Sequence, residues 1–298
     1  EGGPKDLPAC PAFNNDPDVS RWMKSIGDRA KKPEPSLVSA LSAAVKDPSF
    51  RWYLGVGASY WSGRVEGLEV CRVYPGRTFG RPGVGRPGKS GGRSIAAIEA
   101  AKLLKGAPKE FKESDVRLVV GSICRVVKSR REGRLNELDY QPEHRYESLV
   151  LRGVIPIRAG NQAGAPRLTP VFENYPFQFP AKWFTGDKPR YIDILMPEGN
   201  IPWVVELNCA KGWHGYWRHF RHAVSQAALY REFIKKTPTV ADLLKRSKGL
   251  EACACRACVA FPEPKSSDLD QINQLIELAV DFDVEVSIFP LDLLKTAP

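Results

Sequence analysis

Two carboxylates stand inside otherwise apolar runs in the second half of the sequence. Residues 191–196 read YIDILM and contain Asp193, and residues 201–207 read IPWVVEL and contain Glu206. A charged group among hydrophobic neighbours costs free energy unless something compensates it. A divalent cation can compensate two acids at once, because carboxylate oxygens are its preferred ligands. The pair therefore predicts a metal site.

The two runs also predict the element that would hold these acids. The four residues between them, PEGN, are typical of a hairpin turn. If all four close the turn, Met196 pairs with Ile201 and Asp193 lies opposite Val204. Side chains alternate between the faces of a strand, so Asp193 and Glu206 share a face as a diagonal pair, about 7–8 Å apart. A slip of one residue would separate them. The other face is predicted to be the core face, with Ile192, Ile194, Trp203, Val205 and Leu207.

The composition limits the class of protein. The chain has 298 residues, 43% hydrophobic and 26% charged, enough for one large or two ordinary domains. It contains no run of 18 apolar residues and no visible signal peptide, and its seven cysteines are an odd number. We therefore expect no membrane partner, reduced thiols and a cytoplasmic location. The net charge of +10 favours a polyanionic partner, foremost nucleic acid.

The first part of the chain predicts a smaller α+β domain. Hydrophobic periodicity predicts helices over residues 18–31, 36–46, 94–105 and 114–130. Strands are predicted over 50–61 and 65–74, with a turn at Ser62-Gly63. A change of character near residue 132 indicates a domain boundary. We therefore predict a basic N-terminal domain over 1–132 and a C-terminal domain over 133–298.

Residues 77–93, RTFGRPGVGRPGKSGGR, are basic and contain no acid. We expect them to contact a phosphate backbone, through Arg77, Arg81, Arg86, Lys89 and Arg93. Residues 83–90 also fit the pattern GxxxxGK[ST] of a phosphate-binding loop, which requires a buried strand before it and a helix directly after it. Neither is predicted here, so a nucleotide hydrolase is an alternative, as is a solvated loop without a ligand.

The second part predicts alternating elements around the hairpin. A helix within 135–152 is interrupted near Pro142 and carries Glu147, and residues 172–180 read as an extended aromatic run. After the hairpin, the sequence predicts a long helix, a strand, a second helix and a final strand, over 213–236, 252–261, 268–281 and 284–289. On the long helix, Gln226 and Tyr230 are spaced i, i+4 and lie on one face.

This order resembles the PD-(D/E)xK nuclease superfamily, and specifically its RecB-type branch, from about residue 135 to the C-terminus. The matching motifs are Asp193 in YIDILMP, Glu206 in VVELN, and Gln226-x-x-x-Tyr230 on the following helix. Glu147 corresponds to the acid that such enzymes often carry on their first core helix. The resemblance implies an α/β fold with a mixed-sheet core flanked by helices. It also implies metal-dependent hydrolysis of phosphodiesters, in DNA rather than RNA.

The resemblance further implies roles for individual residues. Mg²⁺ or Mn²⁺ would be held by Asp193, Glu206 and the carbonyl of Leu207, with Glu147 serving a second ion or an outer water.

The chain departs from the motif at its lysine position, which is Asn208. Asparagine brings no positive charge and cannot accept a proton as a base. Lys211 could take over the role, so the expected catalytic set is Asp193, Glu206, Asn208, Lys211, Gln226 and Tyr230. The alternative is a catalytically impaired module that only binds DNA.

Other residues allow ordinary interpretations. The acids could be edge-strand residues paired with Lys188 or Arg190, and Gln226 and Tyr230 could be routine helix residues. The spacing of Cys253, Cys255 and Cys258 resembles a zinc site, but its fourth ligand would have to come from Cys209 or His222. Buried strand thiols are favoured over zinc. Surface or packing roles are favoured for His214, His219 and His222.

Overall fold

The structure is a computed structural model, and it describes most of the chain. The described residues are 16–30, 34–54, 60–74, 79–82, 102–105, 107–132, 142–159, 165–169, 179–182, 188–208, 213–263 and 269–290. The helices are α1 (Pro17–Ala30), α2 (Ser36–Ala44), α3 (Val116–Arg131), α4 (Pro142–Leu151), α5 (Trp213–Lys236), α6 (Pro238–Lys248) and α7 (Leu269–Asp281). The strands are β1 (Phe50–Leu54), β2 (Trp61–Val65), β3 (Leu68–Val73), β4 (Gly80–Pro82), β5 (Phe179–Ala181), β6 (Arg190–Ile192), β7 (Ile194–Glu198), β8 (Ile201–Leu207), β9 (Arg256–Pro262) and β10 (Glu285–Phe289). The protein is thus a mixed α/β protein.

Strands β1 to β4 form an antiparallel sheet in sequential order. One face packs against α2 and α3 around a buried apolar cluster. The turn between β2 and β3 is formed by Glu66 and Gly67, with φ of 44° and 81°. The predicted turn at Ser62-Gly63 is therefore wrong, because both residues lie within β2. Gly63 serves close packing instead: a Cβ there would lie 2.5 Å from the Cys71 sulfur.

The second sheet contains the hairpin and has the order β10-β9-β8-β7. Strands β7 and β8 are antiparallel, whereas β8, β9 and β10 run parallel to one another. The chain passes through α5 and α6 between β8 and β9, and through α7 between β9 and β10, as parallel strands require crossover connections. A separate two-stranded sheet, β5 with β6, leads into the hairpin.

Apolar clusters cover both faces of this second sheet. Helices α1, α5, α6 and α7 pack on the face that carries Val204 and Val259. Helix α4, residues 154–159 and Leu168 pack on the face that carries Trp203, Val205 and Leu207. A sheet buried on both faces explains why β8 is almost continuously apolar.

Helix α6 was not predicted from the sequence. Pro238 stands at its N-terminus, and Gly249 ends it in the left-handed conformation, with φ of 67°, which are common start and stop signals for helices. It packs against α1. The apolar face of α1 thereby joins a cluster that is otherwise built from residues 179–255.

No helix in the described part of the chain is long and apolar enough to cross a membrane.

Candidate active site

The hairpin register places the two acids closer than predicted. Met196 pairs with Trp203 rather than with Ile201, so Asp193 lies at the level of Glu206 and not of Val204. The turn contains only Gly199 and Asn200, and Gly199 has φ of 58°, as a type II′ turn requires at its first position. The register is shifted by two residues, so within the paired strands β7 and β8 each residue keeps its predicted face.

Most of the predicted core face is confirmed, with one exception. Ile194, Trp203, Val205 and Leu207 share an apolar cluster, whereas Ile192 packs in the cluster of the opposite face. The reason is that Asp193 is a bend between β6 and β7, which interrupts the alternation of side chains.

Backbone amides bind both carboxylates. The Asp193 amide donates a hydrogen bond to Glu206 Oε1 at 3.3 Å, and the Leu207 amide donates one to Asp193 Oδ2 at 2.9 Å. The exposed fraction is 8% for Asp193 and 5% for Glu206. A carboxylate has about four acceptor positions, so a single backbone hydrogen bond does not use all of those of either acid. Hard oxygen donors of this kind fit Mg²⁺ or Mn²⁺.

Helix α5 brings Tyr230 to the acids. The Tyr230 side chain is 1% exposed, and its pKa is raised by burial and by the negative charges of Glu206 and Asp193. Arg190 and a hydrogen bond from Gln226 act in the opposite direction. The structure thus assembles four of the sequence-predicted residues at one place: the two acids, Tyr230 and Gln226.

Leu207 and Asn208 end strand β8 beside these residues. The Leu207 amide points to Asp193, and the N–H and C=O of a strand residue point to the same side, so its carbonyl is directed toward β7. The backbone N–H of Asn208 donates a hydrogen bond to the Ala260 carbonyl at 2.9 Å, and Asn208 is 4% exposed. Asn208 therefore lies buried at the end of β8, two residues after Glu206.

Glu147 approaches from the other side of the sheet. It is fully buried on α4, the helix that covers the face opposite to Val204. The pKa of Tyr53 in β1 is raised mainly by burial, and the negative charge of Glu147 raises it further. No group of three His, Cys, Asp or Glu side chains within the described ranges could hold a metal ion. The structure thus does not join Glu147 to Asp193 and Glu206 in one ligand set. Tyr53 is a neighbour of Glu147 that the sequence did not indicate.

The three cysteines of the predicted zinc spacing do not converge. Cys253 is exposed, Cys255 packs in the cluster of α1 and α6, and Cys258 packs in the cluster of α4. Burial raises the pKa of Cys255 to about 12 and raises that of Cys258 as well. High thiol pKa values disfavour the thiolate that zinc requires. Two of the histidines, His219 and His222, are exposed on α5.

One residue of the predicted nucleic-acid contacts lies within the described residues. Arg81, in β4, is exposed and pairs with Glu110 at 2.6 Å. The others, Arg77, Arg86, Lys89 and Arg93, lie outside the described residues, as do Lys211 and the whole of 83–90. The strand before 83–90 is β4, a three-residue strand paired antiparallel with β3. This is not the buried strand that a phosphate-binding loop requires.

Comparison of the chain with family models, with curated proteins and with solved structures gave no match.

Proposed function

We propose that this protein hydrolyses phosphodiester bonds of nucleic acid, with DNA as the favoured substrate, at a divalent-metal site formed by Asp193 and Glu206. The observation that carries the proposal is the opposition of these two buried carboxylates, with Tyr230 and Gln226 beside them. Two carboxylates of like charge at such close range favour a cation between them.

The residues would divide the work of hydrolysis. Asp193 and Glu206 would hold the ion, and the Leu207 carbonyl, directed to the same side, would add a third oxygen. When bound, Mg²⁺ or Mn²⁺ lowers the pKa of a water molecule and stabilises negative charge on the phosphoryl oxygens. The backbone amides of Asp193 and Leu207 fix the two carboxylates before any ligand arrives, which is the preorganisation that an electrostatic site requires.

Tyr230 would act as a neutral hydrogen-bond donor. A tyrosine phenol is protonated at neutral pH, and burial beside the two acids raises the pKa of Tyr230 further, so it can donate to a carboxylate or to a phosphate oxygen. Gln226, one helical turn earlier, binds the phenol and fixes its orientation. Asn208 can orient a water molecule by hydrogen bonding but cannot accept its proton. The proton would therefore pass to a phosphate oxygen or to bulk water, or to Lys211 if that side chain reaches the site.

The test is a cleavage assay on linear, circular and single-stranded DNA with Mg²⁺, Mn²⁺ or EDTA. We expect the wild type to cut in the presence of metal, and Glu206→Gln and EDTA to abolish cutting. Glu277→Gln, an exposed acid on α7, serves as the matched control and should leave cutting unchanged. If Asn208→Lys cuts DNA and the wild type does not, the metal site exists but lacks activity in the wild type. If both the wild type and Asn208→Lys are inert while DNA binding persists, the chain is a binding module and the proposal fails.

A further inference from the structure

The N-terminal sheet presents one arginine from each of its four strands on a single face. Arg51 of β1 pairs with Arg64 of β2, and Arg72 of β3 pairs with Arg81 of β4. Glu69 joins the two pairs, because it lies opposite Arg64 on the neighbouring strand and accepts a hydrogen bond from Arg72. The opposite face of the sheet is the apolar core.

This arrangement costs stability. Like charges directly opposite each other on neighbouring strands are destabilising, and the sheet contains two such pairs. The structure compensates them in part: Glu69 binds Arg72 at 2.6 Å, and Glu110 binds Arg81 at 2.6 Å. An anionic ligand on this face would be attracted by the same arginines.

Aromatic rings form a row beside these arginines. The Arg72 guanidinium lies 4.5 Å from the centre of the Tyr60 ring, and that of Arg81 lies 5.7 Å from Phe79 and 6.0 Å from Tyr74. The rings also neighbour one another, with centroid distances of 5.8 Å between Tyr60 and Tyr74 and 6.2 Å between Tyr74 and Phe79. Cations and ring faces therefore alternate along one surface.

One end of this surface is covered and the other is accessible. On the β1 side, Arg51 donates to the Leu151 carbonyl of α4, and Tyr53 is buried beside Glu147. On the β4 side, Arg81 is exposed and the residues of the aromatic row are half-buried. We call the accessible part the arginine–aromatic face; it consists of Arg72, Arg81, Tyr60, Tyr74 and Phe79, whereas the Arg64 guanidinium lies 5.6 Å from the centre of the buried Tyr53 ring.

We infer that the arginine–aromatic face binds single-stranded nucleic acid. Proteins that bind single strands combine positive charges along the backbone with aromatic rings on which bases stack. Here guanidinium groups would bind phosphates, and the rings would accept bases. A duplex would offer its phosphates but not its base faces, since these are stacked inside the helix. The inference rests on the proposed function in one respect, namely that the bound strand is the substrate of the Asp193–Glu206 site.

The test is fluorescence anisotropy with labelled oligothymidine in EDTA, where cleavage through a metal is blocked. We expect Arg81→Gln to lower the slope of log affinity against log salt by about 0.7, and Arg72→Gln/Arg81→Gln by about 1.4, with affinity reduced about tenfold. Tyr74→Leu should reduce affinity about tenfold and leave the salt slope unchanged. Circular dichroism and thermal unfolding confirm the fold of each variant.

The controls separate this inference from the proposed function. Arg246→Gln removes another exposed arginine that is paired with an acid, Asp242 at 3.0 Å, and should bind like the wild type. Glu206→Gln should also bind like the wild type while failing to cut. The inference is overturned if Arg81→Gln and Tyr74→Leu both bind oligothymidine as tightly as the wild type. It is also overturned if the wild type binds duplex and single strand with equal affinity and Tyr74→Leu changes neither. If the wild type never cuts DNA, while Arg81→Gln and Tyr74→Leu bind oligothymidine more weakly than the wild type, the inference stands and the proposed function fails.

Discussion

The backbone amide of Asp193 donates a hydrogen bond to the carboxylate of Glu206, at 3.3 Å from Oε1. Asp193 in turn accepts a hydrogen bond from the amide of Leu207, the residue that follows Glu206. Each acid is therefore fixed by the backbone next to the other. The consequence is a pair of buried carboxylates, each held by a backbone amide from the chain segment of the other.

This geometry predicts stabilisation by metal that depends on both acids. A ligand that binds only the folded state stabilises it by about 2.7 kcal/mol at a hundred times its Kd. We expect Mn²⁺ to raise the Tm of the wild type, as followed by differential scanning fluorimetry. Asp193→Asn and Glu206→Gln should lose this shift, whereas Glu277→Gln on the surface of α7 should retain it. An equal Mn²⁺ shift in Glu206→Gln would exclude the site.

The part of this site that the sequence could predict is the part that depends on local periodicity. The pattern of residues 213–236 gives α5, so Gln226 and Tyr230 share a face, and the alternation in β8 gives the face of Glu206. Asp193 lies beside Glu206 as predicted, although the predicted register was wrong, because a shift of two residues keeps the faces of paired strands. A shift of one residue would have exchanged them.

What the sequence could not predict depends on contacts between distant segments. The packing of α1 on α6 joins residues more than 200 positions apart, and no local pattern indicates such a pair. The faces of α4 and β1 bring Glu147 and Tyr53 together for the same reason. The turn at Glu66-Gly67 was not predicted because Ser62-Gly63 has an equally good turn composition. Only the packing of Gly63 against Cys71 decides between them.

Tyr230 predicts a loss of stability at alkaline pH. Its pKa is raised in the folded state by burial and by Glu206 and Asp193, so the folded protein retains a proton that the unfolded chain loses. The contribution of this proton to the free energy of unfolding is complete below the pKa of Tyr230 in the unfolded chain, near 10. Above that pH it declines by about 1.4 kcal/mol per pH unit. Tyr230→Phe removes this proton. In urea unfolding between about pH 9 and 11, the variant should lose less stability than the wild type. Parallel curves for the two proteins would contradict the assignment.

The buried ion pair between Glu66 and Arg152 predicts strong destabilisation when one partner is removed. Arg152 and Glu66 are 3% and 6% exposed, with 3.4 Å between nitrogen and oxygen, and desolvation lowers the pKa of Arg152. We expect Glu66→Gln to cost about 3 kcal/mol in urea unfolding, because it leaves a buried charge without its partner carboxylate. Glu251→Gln removes the exposed pair with Lys245 and should cost less than about 1 kcal/mol. Similar costs for the two variants would show that the Glu66 pair is not buried in solution.

Two glycines predict opposite effects of the same substitution. A Cβ at Gly80 would meet the Phe111 ring and lie 2.7 Å from the carbonyl oxygen of Arg72, whereas nothing lies within 4 Å of a Cβ at Gly121. Gly80→Ala should therefore force β4 away from β3, at a cost of about 1–3 kcal/mol. Gly121→Ala, on the exposed side of α3, should stabilise the helix by about 1 kcal/mol. Because Arg81 follows Gly80, Gly80→Ala should also weaken binding of oligothymidine, while Gly121→Ala should not. Neutral effects of Gly80→Ala on both stability and binding would show that β4 does not pack on Phe111 and does not support the arginine–aromatic face.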